Sequence, residues 1–248
     1  MIEVKNVVKR FGDRTILDDI SVIFEKGKTN LIIGGSGSGK TVLIKCMVGL
    51  FEVDGGQIIY DGRNFSELNF KERKPVRRDI GMVFQGGALF DSLCVEENIM
   101  FPMGMFTDWS PEEKLERANF CLKRVNLPNA NKLLVSELSG GMKKRVAIAR
   151  AISLNPKYLF CDEPNSGLDP QTSHVIDELI KEITEEFNMI TIVNTHDMNS
   201  VVEIGEKIIF LYKGKKHWEG DFNEVLRTEN KELNDFIFAS KLLKGLRK

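Results

Sequence analysis

The amino-acid sequence predicts an α/β fold built on a parallel sheet, and three observations carry that prediction. Short apolar runs alternate with longer segments of helical periodicity, the pattern of parallel strands joined by helical crossovers. Four runs, Leu31-Ile32-Ile33, Ile80-Gly81-Met82-Val83-Phe84, Tyr158-Leu159-Phe160-Cys161 and Met189-Ile190-Thr191-Ile192-Val193, lead directly into polar residues. Ligands of open parallel sheets bind at the carboxyl ends of the strands. The third observation is a glycine-rich stretch set between the first run and a helix-like segment from Val42 to about Leu50.

In chain order, residues 2–8 and 15–24 read as a hairpin turning at Gly12-Asp13. Phe11 is placed in that turn, where an aromatic ring either packs or stacks on an adenine. Asp54-Gly55-Gly56 and Asp61-Gly62 are turns on either side of the strand Gln57–Tyr60. Residues 67–79 are charge-rich and read as a helix interrupted by Pro75. From Gly86 to Pro156 the periodicity is helical. There, Ser110-Pro111-Glu112-Glu113 supplies an N-cap, a proline at the first helical position and an acidic first turn. Leu115, Ala118, Cys121, Leu122 and Val125 then recur at helix spacing. This block reads as an inserted helical subdomain. A second helix start lies at Leu138-Ser139-Gly140-Gly141-Met142, followed by Lys143, Lys144 and Arg145 and a helix to Ile152. A helix from Gln171 to Phe187 precedes the fourth apolar run, and residues 207–213 and 215–219 read as a closing hairpin around Gly214. From Asp221 the chain is helical and ends in a basic amphipathic piece, Lys241–Lys248, either a solvated helix end or a docking contact.

The 248 residues fit one α/β domain with an insertion, and 42% hydrophobic with 29% charged residues is the balance of a globular protein with a large core. A net charge of −1 gives no overall attraction to nucleic acid or anionic lipid. No segment approaches the roughly 18 continuous apolar residues of a membrane span. Met1-Ile2-Glu3-Val4-Lys5 alternates charge with apolar residues, so it reads as a strand and not as a signal peptide. Cys46, Cys94, Cys121 and Cys161 are scattered without a Cys-x-x-Cys pair, so the expectation is buried, reduced thiols and neither disulfide nor metal.

The glycine-rich stretch is Gly34-Gly35-Ser36-Gly37-Ser38-Gly39-Lys40-Thr41, the phosphate-binding pattern of a glycine, four residues and Gly-Lys-Thr. Its glycines let backbone N–H groups turn around a phosphate, and the following helix N-terminus adds unpaired donors. Lys40 reaches the β- and γ-phosphates and the Thr41 hydroxyl suits Mg²⁺, so the chain is expected to bind a nucleoside triphosphate. The other strand ends complete the inventory. Asp162 offers the acidic group beside the metal, and Glu163 can reach the water that attacks the γ-phosphate. Gln85 is placed to contact the metal or that water, and His196 to orient the γ-phosphate or the water.

Taken together, these motifs resemble the ATP-binding cassette (ABC) ATPases. The resemblance covers nearly the whole chain: Phe11 in the adenine-stacking position, Gly34–Thr41, Gln85 of the Q-loop and the signature Leu138-Ser139-Gly140-Gly141. It continues through Walker B at Asp162-Glu163, the D-loop Ser166-Gly167-Leu168-Asp169 and the switch histidine His196. It implies a P-loop NTPase (RecA-like) core with an antiparallel β subdomain, formed by 1–85 and 157–220, a helical subdomain at 86–156, and C-terminal helices at 221–248. It also implies a homodimer in which Ser139, Gly140 and Gly141 of one copy cover the γ-phosphate bound by the other. The cofactors implied are ATP and Mg²⁺, the latter held by Thr41, Gln85 and Asp162, with Glu163, His196 and Gln85 as catalytic residues. A separate integral membrane permease is the implied partner, received by a groove of the helical block, which places the protein on the cytoplasmic face of the inner membrane. Nucleic acid is not an implied partner.

Within the family, Phe84–Ser92, Val95-Glu96-Glu97-Asn98-Ile99 with Pro102, and Ser136–Met142 are similar to the ATPase of Mla/Mce-type phospholipid transporters. Met142, where the family usually has Gln, is the most specific clue. That resemblance implies phospholipid transport between inner and outer membranes and an Mce-domain lipid-binding protein as a further partner. Two alternatives stay open: a soluble ABC ATPase of iron–sulfur cluster assembly, and a transporter ATPase for another cargo such as an amino acid, a lipoprotein or a drug.

Overall fold

The computed structural model describes residues 1–238. The N-terminal part contains β1 (Ile2–Phe11), β2 (Arg14–Phe24), β3 (Thr29–Ile33), α1 (Lys40–Met47), β4 (Gly55–Tyr60), β5 (Arg63–Asn64), α2 (Arg73–Arg78) and β6 (Ile80–Val83). Three helices follow, α3 (Val95–Phe106), α4 (Pro111–Arg124) and α5 (Gly140–Ala151), with a short 3₁₀ turn at Val135–Glu137 before the last. The chain then returns through β7 (Tyr158–Asp162), α6 (Pro170–Glu186), β8 (Ile190–Asn194), α7 (Met198–Ile204), β9 (Lys207–Tyr212) and β10 (Lys215–Gly220) to α8 (Phe222–Arg227) and α9 (Lys231–Ile237).

The strands form two sheets. One is antiparallel, in the order β2-β1-β4-β5; the other has the order β10-β9-β3-β8-β7-β6 and is parallel except at its β9-β10 edge. The four apolar runs are therefore neighbours: β3, β8, β7 and β6 lie side by side, with β3, β7 and β8 buried at every position. A strand covered on both faces is apolar throughout, which is why these segments show no alternation in the sequence. Parallel pairing brings all four carboxyl ends to one edge, where the polar residues collect.

Helix termini follow their local chemistry. Ser110 caps α4 through its hydroxyl and Glu113 bonds back to the Ser110 N–H, as Ser-Pro-Glu-Glu foreshadows. The helix foreseen over 67–79 shrinks to Arg73–Arg78, with Pro75 in its first turn, where a missing N–H leaves no intrahelical bond unmade. Phe11 is the last residue of β1, paired with Arg14, and not part of the Gly12-Asp13 turn. Cys46, Cys121 and Cys161 are buried, but Cys94 is half-exposed at the start of α3. No group of three or more His, Cys, Asp or Glu residues able to hold a metal occurs among the described residues. Nor is any helix among them long and apolar enough to cross a membrane. The basic piece Lys241–Lys248 lies outside the described residues.

Candidate nucleotide-binding site

The loop Gly34–Gly39 wraps the N-terminus of α1. Gly34 has φ +150°, and a Cβ there would lie 2.3 Å from the Leu211 carbonyl oxygen, so the strand β9 can approach only a glycine. Gly39 occupies the cap position at φ +105° and offers no side-chain cap, and the first turn of α1 has no acidic residue. By contrast, α4, α5 and α6 are each capped by a side chain, from Ser110, Ser139 and Asp169. The free N–H groups of α1 thus face a cavity of about 380 Å³ lined by Phe11, Arg14, Ser36–Thr41 and Glu163. The buried Ser38 hydroxyl has no hydrogen-bond partner among the described residues. Uncapped N–H groups, an unpaired hydroxyl and no competing carboxylate in the first turn fit a phosphate.

Lys40 is buried beside this cavity and its Nζ donates to the carbonyls of Gly34 (2.8 Å) and Gly35 (3.2 Å). Burial lowers its pKa, opposed by the charges of Glu163 and Asp162. Phe11 is half-exposed at the cavity rim and meets Phe51 edge-on at 5.3 Å, leaving ring surface available for stacking.

Across the strand ends, the Thr41 hydroxyl donates to Asp162 Oδ1 at 3.0 Å. Asn194, at the end of β8, donates to the same oxygen at 2.5 Å and to Thr41 Oγ1 at 3.3 Å. Burial raises the pKa of Asp162, the hydrogen bond from Thr41 lowers it, and the neighbouring Glu163 raises it again. The hydroxyl of Thr41 and the carboxylate of Asp162 are hard oxygen donors, which suit Mg²⁺ better than a softer metal.

Glu163 follows β7 in a left-handed backbone conformation, φ +48°, with its N–H bonded to the Asn194 carbonyl at 2.9 Å. That unusual conformation turns the side chain away from the strand, and its carboxylate is gripped from two sides. Gln85 Nε2 donates to Oε2 at 2.9 Å and to Ser166 Oγ at 3.2 Å; His196 Nδ1 lies 3.1 Å from Oε1. Glu163 also borders a second cavity of about 580 Å³, bounded by Ser166–Leu168 and Thr195–Asn199.

The structure therefore gathers Gln85, Asp162, Glu163 and His196 at the phosphate loop, but it does not bring Gln85 to Thr41 or Asp162. Ser139, Gly140 and Gly141 do not line the phosphate cavity. Ser139 caps α5 through Met142 N–H at 3.3 Å, and a Cβ on Gly141 would meet Thr172 Cγ2 at 2.7 Å, so this glycine lets α5 approach α6.

Three residues of the site escape the sequence motifs. Asn194 is one. The others are Lys144 and Arg150 of α5, both buried: Lys144 Nζ donates to the Gln85 carbonyl, and Arg150 donates to the carbonyls of Gly87 and Ala88, each at 2.7 Å. They tie the backbone after Gln85 to the helix that begins at Ser139. A polar residue closing an apolar run, and basic residues inside one, were the available signals.

A glycine-rich loop on an uncapped helix, with a carboxylate pair at the end of the next-but-one strand of the same sheet, defines a P-loop nucleoside triphosphatase. The chain belongs to the ABC transporter family: residues 17–166 match the family described as ABC transporter. It is an ATPase of that family. Among its curated relatives, the methionine import ATP-binding protein MetN of Clostridium tetani is 38% identical over 98% of this chain and 76% of its own length. The intermembrane phospholipid transport system ATP-binding protein MlaF of Haemophilus influenzae is 37% identical over 96% of this chain and 90% of its own length. The glutamine transport ATP-binding protein GlnQ of Escherichia coli is 35% identical over 96% and 98%. Among solved structures, the bacterial ABC transporter cassette MJ0796, determined as a dimer, superimposes with a TM-score of 0.82 at 34% identity, covering 89% of this chain and 98% of that one. A second structure of that cassette is a post-hydrolysis state bound to ADP and Pi.

Proposed function

We propose that the chain is the ATP-hydrolysing subunit of a phospholipid transporter, working as a homodimer beneath a separate membrane permease. Gly34–Thr41 holds the phosphates of ATP, with Phe11 against the adenine. Thr41 and Asp162 hold Mg²⁺, which supplies charge neutralisation at the β- and γ-phosphates. Gln85 donates through Nε2 to Glu163 and Ser166, and its amide oxygen would be the atom offered to the metal. Glu163 accepts a proton from the attacking water, and His196, on its other oxygen, keeps that carboxylate aimed and meets the γ-phosphate.

The observation that carries the dimer is the position of Ser139-Gly140-Gly141 outside the phosphate cavity of its own chain. A segment with that role in hydrolysis must act on a second copy, and the dimeric state of MJ0796 supports this. Residues 86–156 form the helical subdomain between the two parts of the nucleotide-binding core, 1–85 and 157–220, with 221–248 as C-terminal helices. Phe84, Phe90, Phe101, Pro102 and Met105 line an apolar groove of about 430 Å³, the proposed seat of a permease helix. Docking there places the protein on the cytoplasmic face of the inner membrane. For the cargo, Met142 in the signature and the match to nearly the full length of MlaF support phospholipid, with an Mce-domain protein as further partner. The comparable identities of MetN and GlnQ favour a second reading, amino-acid import.

Glu163→Gln tests the hydrolytic role: it is expected to bind ATP, stop turnover and accumulate a nucleotide-bound dimer, and full turnover would overturn it. Copurification from detergent-solubilised membranes tests the cargo. Recovery of a permease together with an Mce-domain protein supports phospholipid. A permease whose complex is stimulated by methionine or glutamine supports the second reading.

A further inference from the structure

Behind the face that carries Glu163 and His196, a buried polar chain joins three segments. Asn165 Nδ2 donates to Ser200 Oγ at 3.2 Å, and the Ser200 hydroxyl donates to Asp177 Oδ2 at 2.7 Å. Ser200 is fully buried and Asp177 is 1% exposed. Each residue belongs to a segment that ends in the site. Asn165 lies two residues after Glu163 and directly before Ser166, which accepts from Gln85. Ser200 is in the first turn of α7, whose cap Asp197 follows His196. Asp177 stands on α6, which begins directly after the turn Ser166–Asp169.

Packing alone does not explain a carboxyl here. Its neighbours on α6, Ile176, Leu179, Ile180 and Ile183, are apolar and buried, and an apolar side chain would fill the same space without a buried charge. Asp177 Oδ1 and Asn165 Oδ1 also lack hydrogen-bond partners among the described residues, so the cluster is not arranged for maximal stability. What the chain does provide is a directional link of fixed length between the Glu163 loop and the helix that follows His196.

We propose that Asp177 is a positioning residue: through Ser200 and Asn165 it sets the separation of the His196 and Glu163 segments, and thereby the 3.1 Å contact between His196 Nδ1 and Glu163 Oε1. The inference rests on the reading of Glu163 and His196 as the hydrolytic pair. The link depends on charge, because ionised Asp177 is a stronger acceptor for the Ser200 hydroxyl than the protonated acid, so protonation loosens the hold on α7. Burial pushes this carboxyl up to about 6, the hydrogen bond from Ser200 pulls it down, and the charges of Glu203 and Asp197 raise it. Cys161 on β7 and His174 on α6 also feel its charge. Loosening of this link on protonation is expected to appear as an acidic limb in kcat near pH 6.

The test is steady-state ATP hydrolysis by the full chain across pH. Asp177→Leu and Ser200→Ala are expected to lower kcat about tenfold while KM for ATP moves by less than about twofold, because misplacement of the pair affects the chemical step and not the phosphate cradle. Asp177→Asn keeps an acceptor for Ser200, so at alkaline pH its kcat recovers to within about threefold of the unaltered protein, and the limb near pH 6 disappears. Unaltered kcat in Asp177→Leu, or a limb that survives in Asp177→Asn, overturns the proposal. Should Asp177→Leu not fold, Ser200→Ala, which removes one oxygen, decides in the same way. Glu163→Gln assayed alongside keeps the two levels apart: its full turnover removes the underlying reading, whereas an inactive Glu163→Gln beside a fully active Asp177→Leu removes only the positioning role.

Discussion

The Thr41 hydroxyl and the Asp162 carboxylate meet at 3.0 Å, and one amide, that of Asn194, donates to both. The contact joins the helix after β3 to the end of β7, and Asn194 from β8, the strand between them, locks it. Burial alone would drive Asp162 toward its neutral form, and these two donors favour the charged form that a cation requires. Replacing Asn194 by Ala leaves a buried carboxylate with one donor fewer. The expected result is a loss of about 1–3 kcal/mol in stability. The Mg²⁺ concentration needed for half-maximal nucleotide binding should also rise about tenfold or more. Titrating Mg²⁺ against a fluorescent ATP analogue checks this, and an unchanged midpoint would remove Asn194 from the metal site.

Glu163 and Gln85 were legible because each stands where an apolar run stops, and strand ends of a parallel sheet are where ligands sit. Asn194 occupies the same kind of position, but no motif names it. Lys144 is one of three consecutive basic residues in the sequence, yet it is buried against the Gln85 carbonyl. Helix periodicity assigns residues to faces, but it does not reveal which neighbouring carbonyls need a donor. Asp177 is hidden for a related reason: α6 buries a second stripe, Ser173, Asp177, Ile180 and Thr184, whose mixed polarity resembles an exposed face. Helix α7 escaped because seven residues are too few to show a period.

The signature helix supplies a separate prediction. Ser139 caps α5 from outside the phosphate cavity, so a bulky cation there is expected to spare ATP binding by a single copy and to block closure of two. Ser139→Arg should reduce hydrolysis at least about 100-fold, the scale of losing donors to transition-state charge. Nucleotide affinity by equilibrium binding at low protein concentration should stay within about twofold, because the cradle is untouched. Normal hydrolysis by this variant would show that each chain completes its own site.

The apolar groove gives a prediction about the membrane partner. Phe90 and Phe101 meet with tilted rings, centroids 4.5 Å apart, on its wall and are 41% and 42% exposed, and Met105 beside them is 57% exposed. Exposed aromatic residues lining a concavity are the usual anchors of a docked helix. Phe101→Asp places a charge where such a helix would remove water. Association with membranes, read by sedimentation, is expected to weaken about 100-fold or more. ATP binding in the supernatant then shows that the variant is folded. Undiminished sedimentation would place the permease contact on another face.

Asp177 also makes a prediction about stability that is independent of turnover. Burial holds its carboxyl at about 6 in the folded protein, above the ordinary aspartate value of 3.8. Between those values the unfolded chain has released the proton and the folded one retains it, so stability falls as pH rises through this window and is level above it. The shift corresponds to roughly 2–3 kcal/mol of stability that this group withholds at neutral pH. Asp177→Asn has no proton to lose. Its stability relative to the unaltered protein, from urea unfolding, should therefore rise by about that amount between about pH 4 and about pH 7.5. The Asn variant would then be more stable at neutral pH and still lack the acidic limb of kcat, the trade expected of a charge kept for positioning. Parallel stability profiles for the two proteins would mean that Asp177 titrates normally.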